Sequence, residues 1–314
     1  MTAETMSGSR DERRIALRSE RTFAAPYWSG FEPRVVIEFA IAAIVWVGVI
    51  VAGVSGIISL WVGLIINTVV ASTFYMPMHE AAHGNIWGRN TTGVWGQDLI
   101  GMLCAIPLCF SYKAHRSSHM RHHAHTNDPE RDPDHFTAGS LITLPGLWFS
   151  QVVLATFLPV FAFLPGSRRL LPNRLKRSMR ADEGNRQAGL RQLKFWAIST
   201  LILVLAFATG FGWPALLLWY IPARMQALWL LFVFAWYPHH PANKVGRYVD
   251  TRIAVFPGSR FLIRGHDHHA VHHLFPRVPH YRLRALWSDV AVDMVPKGVR
   301  SEGRAVATTG PITW

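Results

Sequence analysis

Six histidines and four carboxylates fall within the stretch from Tyr112 to His135, which reads YKAHRSSHMRHHAHTNDPERDPDH. A neutral imidazole binds metal through one ring nitrogen and usually donates its other N–H to a carboxylate or carbonyl. The stretch therefore offers metal ligands followed by groups that can orient them. A solvated polar loop is the alternative, and the density of histidines favours metal binding. The residues are His115, His119, His122, His123, His125 and His135, then Asp128, Glu130, Asp132 and Asp134.

Two more histidine groups lie elsewhere in the chain. His79 and His83 are four residues apart, so on a helix they share a face and can bind one metal. A structural zinc site needs four ligands, whereas eight grouped histidines, with one or two more at 239–240, suit two metals in one site. Imidazole binds Zn, Cu, Fe and Ni alike, so spacing does not name the metal. The groups are His79 and His83, then His119, His122 and His123, then His269, His272 and His273.

The composition is that of a membrane protein. Half of the 314 residues are hydrophobic and only 16% are charged, against about 25% in a soluble domain. The net charge of +13 comes from basic residues beside apolar runs, where the positive-inside rule places them. Anionic lipid headgroups, and not nucleic acid, are therefore the predicted partner of this charge.

The sequence shows no binding motif for an iron–sulfur cluster, a flavin or a nicotinamide cofactor. Cys104 and Cys109 lie in an apolar run, which predicts buried side chains, and two cysteines are too few for a Cys-ligated iron–sulfur cluster. No GxGxxG fingerprint follows a strand pattern. A redox enzyme of this sequence would receive its electrons from another protein.

Four apolar runs, 35–52, 57–76, 195–211 and 214–236, are long enough to cross a bilayer. Residues 102–110 contain Pro107 and are too short to span, so we expect a re-entrant or interfacial piece. Arg224 lies inside the last run. Either it faces the protein interior, or the turn lies nearer Pro222.

Parity of crossing sets the predicted topology. If all histidine groups meet, the chain crosses the membrane an even number of times between His123 and His239, so one of three apolar runs cannot span. The run 141–164 is interrupted by Pro145 and Pro159, and nine basic residues place 166–194 in the cytoplasm. We therefore predict an all-α membrane protein of four transmembrane helices in two hairpins, with re-entrant or interfacial segments, a cytoplasmic His-rich cap and both termini cytoplasmic.

Three parts of the chain are predicted. Residues 1–33 are polar and Arg-rich without a removable signal peptide, and form a cytoplasmic lead-in near the membrane surface. Residues 34–292 form the membrane domain. Residues 293–314 form a Gly-rich, polar and flexible tail.

The motifs HEAAHG, HMRHH followed by TNDPERDPD, and HAVHHLFPRVPHYRL resemble the three histidine boxes of the membrane fatty acid desaturase superfamily, which includes carotenoid ketolases and hydroxylases. The likeness covers residues 75–135 and 225–285. It implies two non-haem iron ions that activate O2 and attack an unactivated C–H bond in a lipid. The ligands it implies are His79, His83, His119, His122, His123, His269, His272, His273 and one of His239 and His240.

The subfamily is open at this point. In desaturases with an Asn one turn before the extra ligand, that Asn acts through water, but here the position holds Trp236 or Ala235. WYPHHP resembles the ketolase branch, whereas TNDPE and HHLFPRVPHY resemble acyl desaturases. Fatty acyl desaturation is therefore predicted, with hydroxylation or ketolation of a carotenoid or other lipophilic substrate as the alternative.

The remaining histidines fit no box, and we predict that they neighbour the ligands or lie at the surface. Aspartates near the boxes are candidate acceptors for ligand rings, with a solvated loop as the alternative. These residues are His115, His125, His135, His266, His268 and His280, and Asp128, Asp132, Asp134 and Asp267.

Two other functions use the same residues. HEAAH satisfies H-E-x-x-H, in which Glu80 would be the general base of a membrane zinc protease, but that site leaves two histidine groups unused. Metal storage or transport is the other, and the ordered three-box pattern disfavours it. The expected partners are a lipid or fatty acyl substrate, O2, and a ferredoxin or cytochrome b5-like donor with its reductase, docked on 166–194 and near Arg277, Arg282 and Arg284.

Overall fold

The computed structural model describes residues 10–28, 30–88, 92–161 and 183–304, with single residues 90, 166 and 169. This part of the chain is mostly helical, with two short strands, β1 (Arg252–Val255) and β2 (Arg300–Gly303). The helices are α1 (Arg10–Ala24), α2 (Pro33–Val54), α3 (Leu60–Thr73), α4 (Tyr75–His83), α5 (Trp95–Leu108), α6 (Tyr112–His125), α7 (Leu144–Phe161), α8 (Glu183–Ala208), α9 (Gly212–Trp236), α10 (Ser259–Leu262), α11 (His269–Leu274) and α12 (Leu283–Met294).

Four helices of the described residues are long and apolar enough to cross a membrane: Pro33–Val54, Leu60–His83, Arg186–Ala208 and Gly212–Trp236. They match the four predicted spans, and α7 is not among them, so the all-α membrane fold is confirmed. The second span is longer than predicted, since α3 and α4 follow one another through Phe74 and end at His83. Most of the basic segment 166–194 lies outside the described residues.

The two hairpins pack closely against each other where α9 meets α3. Helix α9 contains a π-helical turn, Leu216–Tyr220, that packs against α3. A Cβ atom at Gly63 would lie 2.3 Å from the Leu218 side chain, so only glycine leaves room for it. Beside this contact, the buried Asn67 amide donates a hydrogen bond of 2.7 Å to the Leu218 carbonyl. Polar side chains in hydrocarbon need such partners.

Helix α5 contains the segment predicted to be re-entrant. It has 14 residues, which is too short to span, and several of its apolar side chains are exposed, among them Trp95. Its last carbonyls have no partner within the helix. Trp219 Nε1 donates to the Ile106 carbonyl at 2.7 Å, and Gln226 Nε2 donates to the Leu108 carbonyl at 3.3 Å. Polar side chains of α9 therefore complete the end of α5.

Arg224 faces the protein interior. Its guanidinium donates to the Cys109 carbonyl at 3.5 Å, to the Tyr220 hydroxyl at 3.1 Å and to the Thr156 hydroxyl at 3.1 Å. Helix α9 continues through Pro222. The alternative of a turn near Pro222 is therefore wrong. Three neighbouring oxygens stabilise the charge of Arg224 inside the span.

The histidine-bearing segments form a cap on one end of the membrane helices. Strand β2 pairs in parallel with β1, preceded by a 3₁₀ turn at Val295–Lys297. Part of the predicted tail, residues 295–303, therefore has defined secondary structure, while 305–314 lie outside the described residues. The Gly-rich, polar composition of this segment suggested flexibility. Composition does not reveal that the segment pairs with a strand about fifty residues earlier.

Helix α1 is fastened to the cap by one buried carboxylate. Glu20 accepts hydrogen bonds from Lys297 Nζ at 2.7 Å, Tyr248 Oη at 2.5 Å and Arg247 Nη2 at 2.9 Å. Burial by itself raises the pKa of Glu20, but these three donors together hold it below its usual 4.5. The contact joins the lead-in segment, the loop after the last span and the tail.

Replacing Glu20 with Gln leaves three donors around a neutral amide, and we expect α1 to detach more often. Charged hydrogen bonds contribute about 1.5–3 kcal/mol each, so hydrogen exchange in α1 would become at least about tenfold faster. In the unchanged protein the lowered pKa means that this stabilisation is full above about pH 4.5 and is lost as the pH falls further. Unchanged exchange in the variant would contradict the role of Glu20.

Candidate metal centre

The first histidine pair lies at the cap end of the second span. His79 and His83 are one turn apart on α4, and Gly84 ends the helix in the left-handed conformation at φ 76°. The His79 side chain has no exposed surface, and neither of its ring nitrogens has a hydrogen-bond partner. A buried polar atom without a partner is costly.

Helix α6 presents the second histidine group. Its first turn is capped by the Ser111 hydroxyl, which accepts a 3.3 Å bond from the Ala114 N–H. His119, His122 and His123 follow at helical spacing and point into the cap. Their rings contact those of the first and third groups.

The third group lies on the six-residue helix α11. His269, His272 and His273 have i, i+3 and i+4 spacing, so they share one face. Val271 and Leu274 are buried on the other face, in a core that includes Trp287 of α12. Apolar packing on one side therefore directs three imidazoles toward the other side.

Five of these rings form one potential metal site. Nitrogens of His83 and His119 lie 2.8 Å apart, and His123 Nε2 lies 3.1 Å from those of His119 and His272. One ligand atom from each of five residues lies within 4.8 Å of every other. The five residues are His79, His83, His119, His123 and His272.

Four other rings form a second potential site beside the first. His269 Nε2 lies 3.0 Å from the Nε2 atoms of both His239 and His273. The ligand atoms of the four residues also lie within 4.8 Å of one another. The rings of His123 and His273 stack at 4.1 Å and join the two groups. The four residues are His122, His239, His269 and His273.

The structure distinguishes His239 from His240. His239 lies in the group of four, whereas the His240 ring packs on Trp236 at 4.4 Å and lies in neither group. Arg300 of β2 donates to the His240 carbonyl at 2.6 Å, and Arg252 of β1 donates to the Tyr237 carbonyl at 2.7 Å. The paired strands therefore hold the loop that carries His239.

Trp236 lies one turn before the extra ligand, at the position that an asparagine occupies in some desaturases. Its indole N–H donates to the Gly139 carbonyl at 3.0 Å and so does not point to the metal site. A cavity of about 10 Å³ lies beside His122, His239 and Asp134. That volume holds about one water molecule.

Burial keeps most of the grouped rings neutral. Burial and, secondarily, neighbouring histidines lower the pKa of six of them well below the usual 6.5. Neutral imidazole is the form that binds metal. The six lie outside the membrane spans and are His119, His123, His239, His269, His272 and His273.

Asp132 orients one ring of the group of four. Its carboxylate lies 2.9 Å from His122 Nδ1 and accepts a 2.7 Å bond from the Asn127 N–H. Burial alone lowers the pKa of His122, but Asp132 raises it to about 9. The same contact orients the ring, and a metal bound at His122 Nε2 would have to displace the proton there. Thr126 Oγ1 lies 3.2 Å from His273 Nδ1 and orients that ring.

The other candidate aspartates have different partners. Asp128 binds Arg131 at 2.7 Å at the surface. Asp134 Oδ2 lies 3.8 Å from His122 Nδ1, beyond hydrogen-bond distance. Asp267 accepts from Ser259 and lies 2.9 Å from His268, which is in neither group.

Sequence reasoning missed the position of His266. This ring is fully buried, both its nitrogens lack partners, and it contacts His79 at 4.7 Å and His269 at 4.9 Å between ring centres. It therefore lies against both groups. Its i, i+3 spacing from His269 was the available signal.

His280 was also left without a role and lies between two carboxylates. Its Nδ1 is 3.1 Å from Glu80 Oε1, and its Nε2 is 3.4 Å from Glu38 Oε2. Asn85 donates a second bond to Glu80 at 2.6 Å. Glu80 is therefore fully engaged by these partners and is buried away from solvent.

The donor set fits a pair of divalent transition metals. Imidazole nitrogens bind a metal at about 2.0–2.1 Å, and the nitrogen separations of 2.8–3.1 Å place several rings within reach of one ion. A bound metal would also give His79 the partner it lacks.

Comparison with known proteins agrees with this arrangement. The family model for fatty acid desaturases matches residues 55–301. The chain belongs to the fatty acid desaturase family. It is 28% identical over 239 residues to the sn-1 acyl-lipid omega-3 desaturase (ferredoxin) of Synechocystis sp. (strain PCC 6803), covering 70% of this chain and 64% of that relative. The predicted family is therefore confirmed.

Replacing His239 with Ala removes a ligand atom from the group of four, and we expect purified protein to hold about one metal fewer per chain. His240→Ala is the matched control, since its ring lies outside both groups, and should keep full metal content. Metal analysis of both variants distinguishes the two residues. The reverse result would show that the ligand is His240.

Replacing Asp132 with Asn weakens the orientation of His122, and we expect metal affinity in the group of four to fall about 10–100-fold. Asp128→Asn, in the same loop but paired with Arg131 at the surface, should leave affinity unchanged. Titration of metal-free protein measures both. Equal affinities in the two variants would remove Asp132 from the site.

Proposed function

We propose that this protein inserts a double bond into a fatty acyl chain of a lipid, using O2 at a centre of two iron ions. The observation that carries the proposal is the pair of adjoining histidine groups, five and four rings, buried at the cap end of the membrane spans. The relative's name describes an acyl-lipid desaturase.

The histidines would hold the two metals, one in each group. Iron is the metal that the family implies, and imidazole nitrogens are suitable ligands for it. When bound, the iron pair supplies the oxidant that removes hydrogen from an unactivated C–H bond.

The rest of the site fixes the rings and keeps water away. Asp132 and Thr126 hold the outer nitrogens of His122 and His273, so that their inner nitrogens stay available. All grouped rings are at least half-buried. A dry site favours attack on the substrate over side reactions with water.

Two alternative functions are less well supported. Hydroxylation or ketolation of a carotenoid or other lipophilic substrate would use the same metals, and only product analysis separates it from desaturation. A zinc protease would need Glu80 as a free general base. Glu80 instead accepts bonds from His280 and Asn85, which argues against that reaction.

The electrons would come from a separate carrier. Forming the double bond removes two hydrogens, and reducing O2 to two waters takes two more electrons and two protons. The relative's name includes ferredoxin, and we propose a ferredoxin or cytochrome b5-like donor. The candidate docking residues are the basic ones of 166–194 with Arg277, Arg282 and Arg284. Of these, Arg282 binds Glu32 at 3.2 Å and Arg277 packs on Trp28.

Lipid analysis of a host that expresses the protein tests the function, and we expect a new double bond in its acyl chains. Substituting any grouped histidine with Ala should abolish it, because each removes a metal bond, whereas Glu80→Gln should keep metal and some turnover. In purified form, turnover should require a reductase and an acidic carrier and should fall with salt. Turnover with NADPH and O2 alone would contradict the external donor, and a hydroxylated product would favour the alternative.

We also propose that the metal centre and both termini face the cytoplasm. All histidine groups lie at one end of the spans, which fits the parity argument. Reporter fusions should therefore indicate the outer side at Ser55 and Gly212 and the cytoplasmic side at Ser178 and at the C-terminus. An external Ser178 would make 141–164 a true span and reverse the later topology.

A further inference from the structure

A second cavity, of about 470 Å³, opens beside the metal centre and plays no part in the metal site. It lies between the first turns of α2, the segment that leads into His266, and the start of α12. Basic side chains dominate its charged lining. The charged and titratable lining residues are Arg34, Arg260, Arg264, Arg284 and His280, with the carboxylates Glu38 and Asp267.

The carboxylates of this cavity already have partners. Glu38 accepts from Arg34 Nε at 3.1 Å and lies 3.4 Å from His280. Asp267 is engaged by Ser259 and His268. Four guanidinium groups and two carboxylates therefore line the cavity, which leaves an excess of positive charge.

His280 does not reduce that excess. Burial by itself lowers its pKa, but hydrogen bonds with Glu38 and Glu80 raise it to about 9. The ring is therefore cationic at pH 7. The Glu80 carboxylate offsets this charge, so the positive excess of the cavity comes from its arginines.

Arg264 lines the cavity, and its backbone is in an unfavourable conformation. Its φ is +49°, in the left-handed region that residues with a Cβ rarely adopt. Its guanidinium is half-buried and donates to the Thr73 carbonyl at 3.2 Å. The guanidinium has five N–H donors, and beyond its bond to the Thr73 carbonyl it has capacity for an anion.

Arg260 has a different character. It is exposed, and within the described part of the chain it makes no hydrogen bond or ion pair. Its charge can therefore act on a ligand without rearrangement of the fold.

The cavity lies at the surface of the membrane. Arg34 is in the first turn of the first span, and Thr73, the partner of Arg264, is within the second. Beside them, the Phe261 side chain is 84% exposed. An exposed aromatic ring next to basic residues at the end of a span is typical of a segment that dips into the lipid interface. Lipid phosphates lie at that level.

We propose that this cavity binds the phosphate of an anionic glycerophospholipid, with Arg260 and Arg264 as its principal contacts. Resting on the proposed function, this lipid is the substrate, and its headgroup sits in the cavity while an acyl chain reaches the metals. His280 in the cavity wall contacts Glu80, the neighbour of His79, so the cavity and the centre share a wall. The volume lies within the usual range for ligand pockets, about 300–1,000 Å³.

The test is lipid binding by full-length protein in detergent, measured by native mass spectrometry with phosphatidylglycerol and phosphatidylcholine. We expect tighter binding of phosphatidylglycerol, and a loss of about tenfold in Arg260→Gln, since a charged hydrogen bond is worth at least that factor. Arg264→Gln should lose as much or more. Because Arg260 makes no hydrogen bond or ion pair with the described residues, its variant keeps the test valid even where the Arg264 variant fails to fold.

Arg191→Gln is the matched control, since Arg191 is an exposed arginine on α8, away from the cavity, and it should bind phosphatidylglycerol as the unchanged protein does. Equal binding of the two lipids, or the same preference in Arg260→Gln, overturns the proposal. Displacement of phosphatidylglycerol by excess inorganic phosphate also overturns it, because the site would then recognise free phosphate and not a lipid.

Desaturation assays in vesicles separate this proposal from the proposed function. With the same acyl chain on either headgroup, we expect a lower KM for phosphatidylglycerol, and loss of that difference in Arg260→Gln. Turnover of both lipids with equal KM would overturn the substrate assignment and leave the desaturase function standing. Absence of turnover with intact lipid binding would overturn the function and leave the binding site standing.

Discussion

The fold depends on the cost of burying nine imidazole rings with their metal-binding nitrogens turned toward one another. Nitrogens 2.8–3.1 Å apart stabilise the protein only if a cation lies among them or if protons are shared between them. Every segment of the cap contributes to this arrangement. Helix α4 continues a membrane span, α6 begins at a capping serine, α11 rests on an apolar core, and β1 and β2 hold the loop of His239.

The parts that sequence could predict are those governed by short-range rules. The i, i+3 and i+4 spacings around His79, His119 and His269 bring rings to one face of a helix whatever the rest of the chain does. Apolar length likewise identifies the four spans, because a bilayer sets a fixed thickness. Order along the chain then allowed the family to be recognised from its motifs.

What sequence could not predict depends on distant partners. His239 and His240 are equivalent in local pattern, and the loop that carries them is held by Arg252 and Arg300, on strands that pair across about fifty residues. The tail looked flexible for the same reason. The sequence left the position of Arg224 open, because its hydrogen-bond acceptors lie far away in the chain, at the end of α5 and in α7. His266 lies between the two groups although no box includes it.

The hydrogen bond from Asn67 to the Leu218 carbonyl has a consequence for biogenesis. The first hairpin is synthesised and enters the bilayer long before residue 218 leaves the ribosome. During that interval Asn67 has no partner from α9, and hydrocarbon offers it none. The first hairpin is therefore expected to wait in a looser state, near the translocon or with water at its polar face. Arrival of the π-helical turn would then lock the two hairpins together, and only after that step could the cap assemble its metal ligands.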